Sequence, residues 1–279
     1  MILTSWYLIL YRFYVKILKL VRGDFVKLSE YKIKCEKIHG KYKFAVISDL
    51  HGCDPTAALE LLRSSSPDFI LAPGDILETV DGSDEKHNAK NERGLLLLRE
   101  SAKIAPTFYS TGNHEIGGTR SWARGLRFSY KEAAKWSEEN LAMLRDADVH
   151  LLDDSYLFFD GFAFGGLSSG ILNEGGKPDL SWIGEFSGAG CPKILLCHHP
   201  EYYAKYLSRY DIDLIVSGHA HGGQWCFFGR GVFAPGQGIF PKYTSGIHDG
   251  RLAVSRGMKE ARVIPRFFNP TEVVLIRVN

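Results

Sequence analysis

Five times in this chain an apolar run of strand length stops at a short cluster of polar side chains. That repetition limits the folds open to the chain more than any other feature. The clusters are Ser48-Asp49-Leu50-His51, Gly74-Asp75-Ile76-Leu77-Glu78, Gly112-Asn113-His114-Glu115, Cys197-His198-His199-Pro200 and Gly218-His219-Ala220-His221. They follow apolar runs within KFAVISDLH, DFILAPGDIL, PTFYSTGNHE, KILLCHHP and IDLIVSGHAH. Helical patterns alternate with them. DPTAALELLRSS opens on an Asp54-Pro55 helix start, NERGLLLLRESAKIA follows, and a third helix is expected over about residues 129–145. An Asp160-Gly161 turn signal divides the strands of VHLLDDSYLFFDGFAFGGLSS, and the tail from residue 224 onward reads as strand. Alternation of this kind predicts an α/β domain, in which ligands gather beyond the carboxyl ends of the strands.

The clusters are rich in metal-capable side chains. Asp49 and His51 are one residue apart, the spacing at which strand side chains share a face, so they can meet one ion. The same holds for His219 and His221, unless the backbone turns so that each faces a different ion. Asp49, His51, Asp75, Asn113, His198, His219 and His221 are seven candidate ligands. A set of carboxylate, carboxamide and imidazole suits Mn, Fe, Zn or Co. Seven donors exceed one tetrahedral ion. They suit two divalent ions sharing a carboxylate, about 3.5–4 Å apart, the clamp used for in-line attack on phosphorus.

The formal net charge of +2 conceals an asymmetry. Residues 1–43 hold ten Lys/Arg and three acids, a charge of +7, and the remaining 236 residues carry −5. A basic front on a mildly acidic body points to an anionic surface as partner. Within residues 1–26, MILTSWYLILYRFYVKILKLVR meets its first charge at Arg12, too early for the ~20 residues that span a bilayer. Drawn as a helix, it sets Leu3, Trp6, Leu10, Tyr14, Ile17 and Val21 opposite Ser5, Arg12, Lys16 and Lys19. This suits a helix lying in the headgroup region of anionic lipid; a helix packed on its own domain or in a dimer is the other reading. The five cysteines form no C-x-x-C pair, which argues against a disulfide framework and for the cytoplasmic side of a membrane.

The order Asp-x-His, Gly-Asp, Gly-Asn-His-Glu, His-x-Pro, Gly-His-x-His resembles the calcineurin-like metallophosphoesterase superfamily over about residues 43–279. Gly-His-Ala-His-Gly-Gly-Gln at 218–224, Pro235-Gly236, Lys242 to Gly246, Val254 to Gly257, Pro265-Arg266 and Pro270 to Glu272 resemble its bacterial membrane-associated phosphodiesterase branch. Some members of that branch are UDP-2,3-diacylglucosamine pyrophosphatases. The resemblance implies a four-layer α/β/β/α sandwich, here with an added N-terminal amphipathic helix. It implies that Asp49, His51, Asp75 and His221 hold one metal and Asp75, Asn113, His198 and His219 the other, with Asp75 bridging. His114 would be general acid or stabilise charge on phosphorus, and Glu78 and Glu115 would orient His114 or the ligating histidines. Glu78 stands where the family often has Asp, and His199 fills the variable place of His-x-Pro.

The expected activity is hydrolysis of a phosphoric diester or pyrophosphate by a metal-bridging hydroxide, on a lipid-linked or membrane-surface substrate. Arg256 and Arg266 are candidates for a second phosphate or for plain surface roles. A nuclease or nucleotide phosphodiesterase of the same fold is the enzymatic alternative. It is disfavoured because the positive charge lies outside the body. A non-catalytic protein-binding scaffold of this fold is the other, and the intact Asn113-His114 argues against it.

Overall fold

The computed structural model describes residues 25–80, 85–117, 134–259 and 266–279, with the side chains of 85–88 left aside. The helix expected over 1–26 therefore lies, but for its last two residues, outside the described residues. Strands β1 (Val26–Ile33), β2 (Tyr42–Val46), β3 (Phe69–Pro73), β4 (Thr107–Ser110) and β5 (Val149–Leu151) come first. Helices α1 (Thr56–Ser65), α2 (Glu85–Ala102) and α3 (Glu138–Asp146) are interleaved with them. Next come β6 (Ser155–Phe159), β7 (Phe162–Leu167), α4 (Ile183–Ser187), β8 (Lys193–Cys197) and β9 (Leu214–Ser217). Two small hairpins pair β10 (Cys226–Phe227) with β11 (Arg230–Gly231), and β12 (Phe233–Ala234) with β13 (Gly238–Ile239). Strands β14 (Gly246–His248), β15 (Leu252–Val254) and β16 (Thr271–Val278) close the chain.

Two six-stranded sheets result, ordered β1-β16-β2-β3-β4-β5 and β14-β15-β9-β8-β7-β6. The runs β2 to β5 and β7-β8-β9-β15 are parallel inside their sheets. Such strands are buried on both faces, which is why they read as continuous apolar runs. Their period of two sorts the faces. Phe44, Val46, Phe69, Leu71, Ile194, Leu196, Leu214 and Val216 pack together between the sheets. Ala45, Ile47, Ile70 and Ala72 face the other way, onto Leu59, Leu62, Leu97 and Leu98 of α1 and α2. Leu195, Cys197 and Ile215 face Ile183 and Phe186 of α4 and the turn bearing Tyr203 and Leu207. The four-layer α/β/β/α arrangement follows.

Two expectations change. The helix expected over 129–145 begins at Glu138 within the described residues, because Ser137 caps it by accepting the Asn140 N–H (3.2 Å). Residues 134–137 before it are not helical. Upstream of residue 43, β1 pairs in parallel with β16 along its whole length, so the first sheet extends beyond the segment that carries the motifs. No helix among the described residues is long and apolar enough to cross a membrane.

Candidate metal centre

All five clusters stand at carboxyl ends of parallel strands: β2, β3 and β4 in one sheet, β8 and β9 in the other. What makes them converge is not strand alternation. β2 ends at Val46, and Asp49 and His51 lie beyond it in the left-handed region, at φ 53° and 50°. Asp75 (54°), His219 (64°) and His221 (46°) share that conformation, costly for residues other than glycine. The turns bring Asp49, His51 and His221 into one group of potential ligand atoms, and Asp75, His198 and His219 into a second. So His219 and His221 face different groups, the alternative that their spacing had left open. A third group joins His51, Asp75 and His114. Asn113 is buried in the same loop as His114.

Glycine makes the close approach possible at two motif positions. A Cβ on Gly112 would lie 2.3 Å from Asp75 Oδ1, and one on Gly218 2.4 Å from Asp49 Oδ2. The carboxylates are held by backbone. Asp49 accepts the His219 N–H (3.0 Å), tying the two sheets together, and Asp75 Oδ1 accepts the His114 N–H (2.9 Å).

The imidazoles are aimed. His198 Nδ1 is 2.8 Å from the Pro73 carbonyl, which can only accept, so Nδ1 carries the proton and Nε2 points at Asp75 Oδ2, 3.2 Å away. His51 turns Nδ1 toward Glu78 (3.4 Å) and Nε2 toward Asp75 (3.5 Å) and Asp49 (3.9 Å). Both Nε2 atoms are buried and make no hydrogen bond. Buried nitrogens and carboxylate oxygens directed at common points fit divalent ions, which would satisfy them all. Burial, reinforced by His114, holds the His51 pKa down at about 3. Burial likewise keeps His219 and His221 well below the ordinary imidazole value, so their lone pairs are available. For His198 burial acts downward too, but Asp75, Asp49 and Glu115 outweigh it and push the ring up to about 10. Burial would also raise Asp75, yet His198, His114 and His51 together hold it well below the carboxylate range.

His114 is less buried than the ligand candidates, with 20% of its side chain exposed. Its Nδ1 faces Glu78 (3.7 Å) and its Nε2 faces Asp75 (4.0 Å). Glu78 thus lies against His51 and His114, as expected, and Lys90 Nζ anchors it at 3.1 Å. Glu115 does something else. Its carboxylate accepts the backbone N–H of Asp75, Ile76, Leu77 and Gly112 and the Tyr109 hydroxyl, at 2.7–3.0 Å. It shapes the two loops rather than orienting His114. Burial, with the Asp75 charge, pushes it up to about 7.

Arg256 and Arg266 also take unforeseen places. Neither is a surface residue. Arg256 pairs with the buried Glu272 (2.7 Å), and Arg266 is 2% exposed, with Nη2 3.4 Å from His221 Nδ1 and 2.8 Å from the Arg256 carbonyl. Three further residues carry structural weight that the sequence did not disclose. Asn269 donates to the His221 carbonyl (2.7 Å). Ser169 lies 2.6 Å from His199 Nε2, and Glu201 3.5 Å from His199 Nδ1, making a buried cluster behind His219. Only the sequence nearness of Glu201 to His199 hinted at the last. Cys53 and Cys197 are buried thiols, and burial pushes Cys197 upward.

This centre on paired sheets agrees with the sequence comparison. The family model for calcineurin-like phosphoesterases matches residues 42–223, and the chain belongs to that family. Curated relatives named uncharacterized metallophosphoesterases occur in Helicobacter pylori J99 (25% identical over 90% of this chain and 64% of that protein) and in Bacillus subtilis 168, where YkuE is 25% identical over 90% of this chain and 84% of that protein. The chain spans about 64% of the length of the Helicobacter relatives. Among solved structures, TT1561 of Thermus thermophilus aligns with 64% of this chain and 82% of that chain at 14% identity and a TM-score of 0.41.

Proposed function

We propose that this chain is a metal-dependent hydrolase of phosphoric esters, acting on a diester or pyrophosphate of a lipid-linked or membrane-surface substrate. One observation carries the hydrolase reading: two buried three-residue ligand groups lie side by side, with the part-exposed His114 beside Asp75. The family supports it. Asp49, His51 and His221 would hold one ion, Asp75, His198 and His219 the other, with Asn113 adjoining and Asp75 between. Divalent ions held there supply Lewis acidity toward a phosphoryl group and lower the pKa of water. The protein's own residues do the rest. The Glu78 carboxylate, 3.7 Å from His114 Nδ1, favours the charged ring. His114, part-exposed and with Nε2 4.0 Å from Asp75, would hold a proton there and deliver it to the departing oxygen. Burial of the carboxylates and ligand imidazoles limits the water that reaches them. The membrane-surface part rests on the +7 charge and apolar face of the opening residues.

The test is metal-stripped enzyme reloaded with Mn, Zn, Co or Fe, assayed on aryl phosphodiester, aryl monoester, a nucleoside-diphosphate sugar lipid and single-stranded DNA. Hydrolysis of diester and sugar lipid above monoester and DNA is the expected outcome. Asp75→Asn should abolish turnover and lower the metal bound per chain. A metal-loaded, fully active Asp75→Asn would sink the assignment, and preference for DNA would favour the nuclease.

A further inference from the structure

Among the described residues, most of the large apolar side chains that reach solvent gather at one end. Trp225, Phe227, Phe228, Ile239, Phe240 and Phe268 are all exposed, Phe228 completely. They occupy three neighbouring segments. The Trp225 carbonyl accepts the Val232 N–H (2.9 Å), and the Val232 carbonyl accepts the Phe240 N–H (2.8 Å), so the two hairpins run side by side. Cys226 N–H donates to the Phe267 carbonyl (2.9 Å), and the Phe227 and Phe268 rings are 6.2 Å apart. Clustered exposed apolar surface marks an interaction site.

Its charge is one-sided. No Asp or Glu occurs between Asp213 and Asp249, while Arg230 is exposed on the first hairpin and Lys242 is exposed three residues past the second. A second copy of the chain would set like charges against each other across a two-fold interface. Aromatic side chains on narrow turns, flanked by cations and free of carboxylates, match the interfacial zone of an anionic membrane. Phe25 and Val26, the first described residues, lie near the same end. The Phe25 carbonyl accepts the Thr271 hydroxyl (2.9 Å), Val26 is the register partner of Thr271, and Phe268 lies three residues earlier.

From these placements we infer that the Trp225–Phe228, Ile239–Phe240 and Phe268 surface is a docking face for an anionic lipid bilayer. The inference deepens the membrane-surface reading above and rests on it. The face is tied to the metal centre. β10 follows directly on the turn holding His221, a Cβ on Gly223 would lie 2.4 Å from Gly231 Cα, and Asn269 bonds the carbonyls of both His221 and Gln224. Docking would therefore bear directly on the loop that carries His221.

The test uses the full chain with vesicles of phosphatidylcholine alone or with about one-third phosphatidylglycerol. Amide exchange over residues 225–241 should slow at least tenfold on the anionic vesicles and stay unchanged with the neutral ones. The triple variant F227S/F228S/F240S should lower the vesicle-bound fraction at least tenfold while keeping full activity on a soluble aryl phosphodiester, which also shows that it folds. Protection confined to the first 24 residues, or unchanged binding by the triple variant, would overturn the inference. So would lipid-free self-association, seen by sedimentation and abolished by the same variant, since it would give the face to a second copy. Docking as expected with no hydrolysis of any lipid phosphoester would leave the face standing and sink the substrate reading alone.

Discussion

Asp49, His51, Asp75, His219 and His221 hold φ between 46° and 64°, in a region that costs most residues about 1 kcal/mol or more. Asparagine is among the few that tolerate it, so Asp75→Asn removes a charge while sparing the turn. His114 lies outside that strained set, and its test is chemical. His114→Gln should retain the metal content of the parent and lose roughly 10²–10³-fold in kcat, as removal of a general acid does. The loss should be steep for alkyl leaving groups and slight for nitrophenolate, which departs without a proton. An equal loss on both substrates, measured with metal content in hand, would mean that His114 serves charge on phosphorus instead.

Loops between strands carry the next level. Asp154, in the turn from β5 to β6, accepts the Ser168 N–H (3.0 Å) at φ 45°. Burial, with Asp153 and Asp179 nearby, raises its pKa to about 6 against the Ser168 bond. A carboxyl that binds its proton more tightly when folded makes stability fall as pH rises, here between about 4 and 6. Asp154→Asn keeps the acceptor and the left-handed turn without the charge. It should raise Tm by a few degrees at pH 7–8, about 1 kcal/mol, and lose that advantage below pH 4, by calorimetry across pH. The two kinds of loop were unequally legible. The five strand ends could be read because parallel strands buried on both faces leave unbroken apolar runs that stop abruptly at polar residues. The ligand candidates were legible for the same reason. The actual roles of Glu115 and Arg266, and Asn269 altogether, were not, because they bond backbone atoms or sit behind a ligand, and such partnerships leave no periodicity. The start of α3 was missed at Ser137, where a cap outweighed the helical pattern.

On the scale of the molecule, the centre is where the two sheets meet. Asp49, His51 and Asp75 come from the first, His198, His219 and His221 from the second, so ions bound there fasten the sandwich. Divalent metal at 100 times its Kd stabilises by about 2.7 kcal/mol, and chelation should lower Tm by about 5–10 °C. Calorimetry with and without chelator checks this; an unchanged Tm would mean that the folded chain holds no divalent ion at this centre. The same bridging sets an order of events in time. Asp49 and His219 are 170 residues apart, and the bond between them forms only when the two sheets come together. If metal binds only once the sheets have joined, the refolding rate should be indifferent to metal while the unfolding rate slows in its presence.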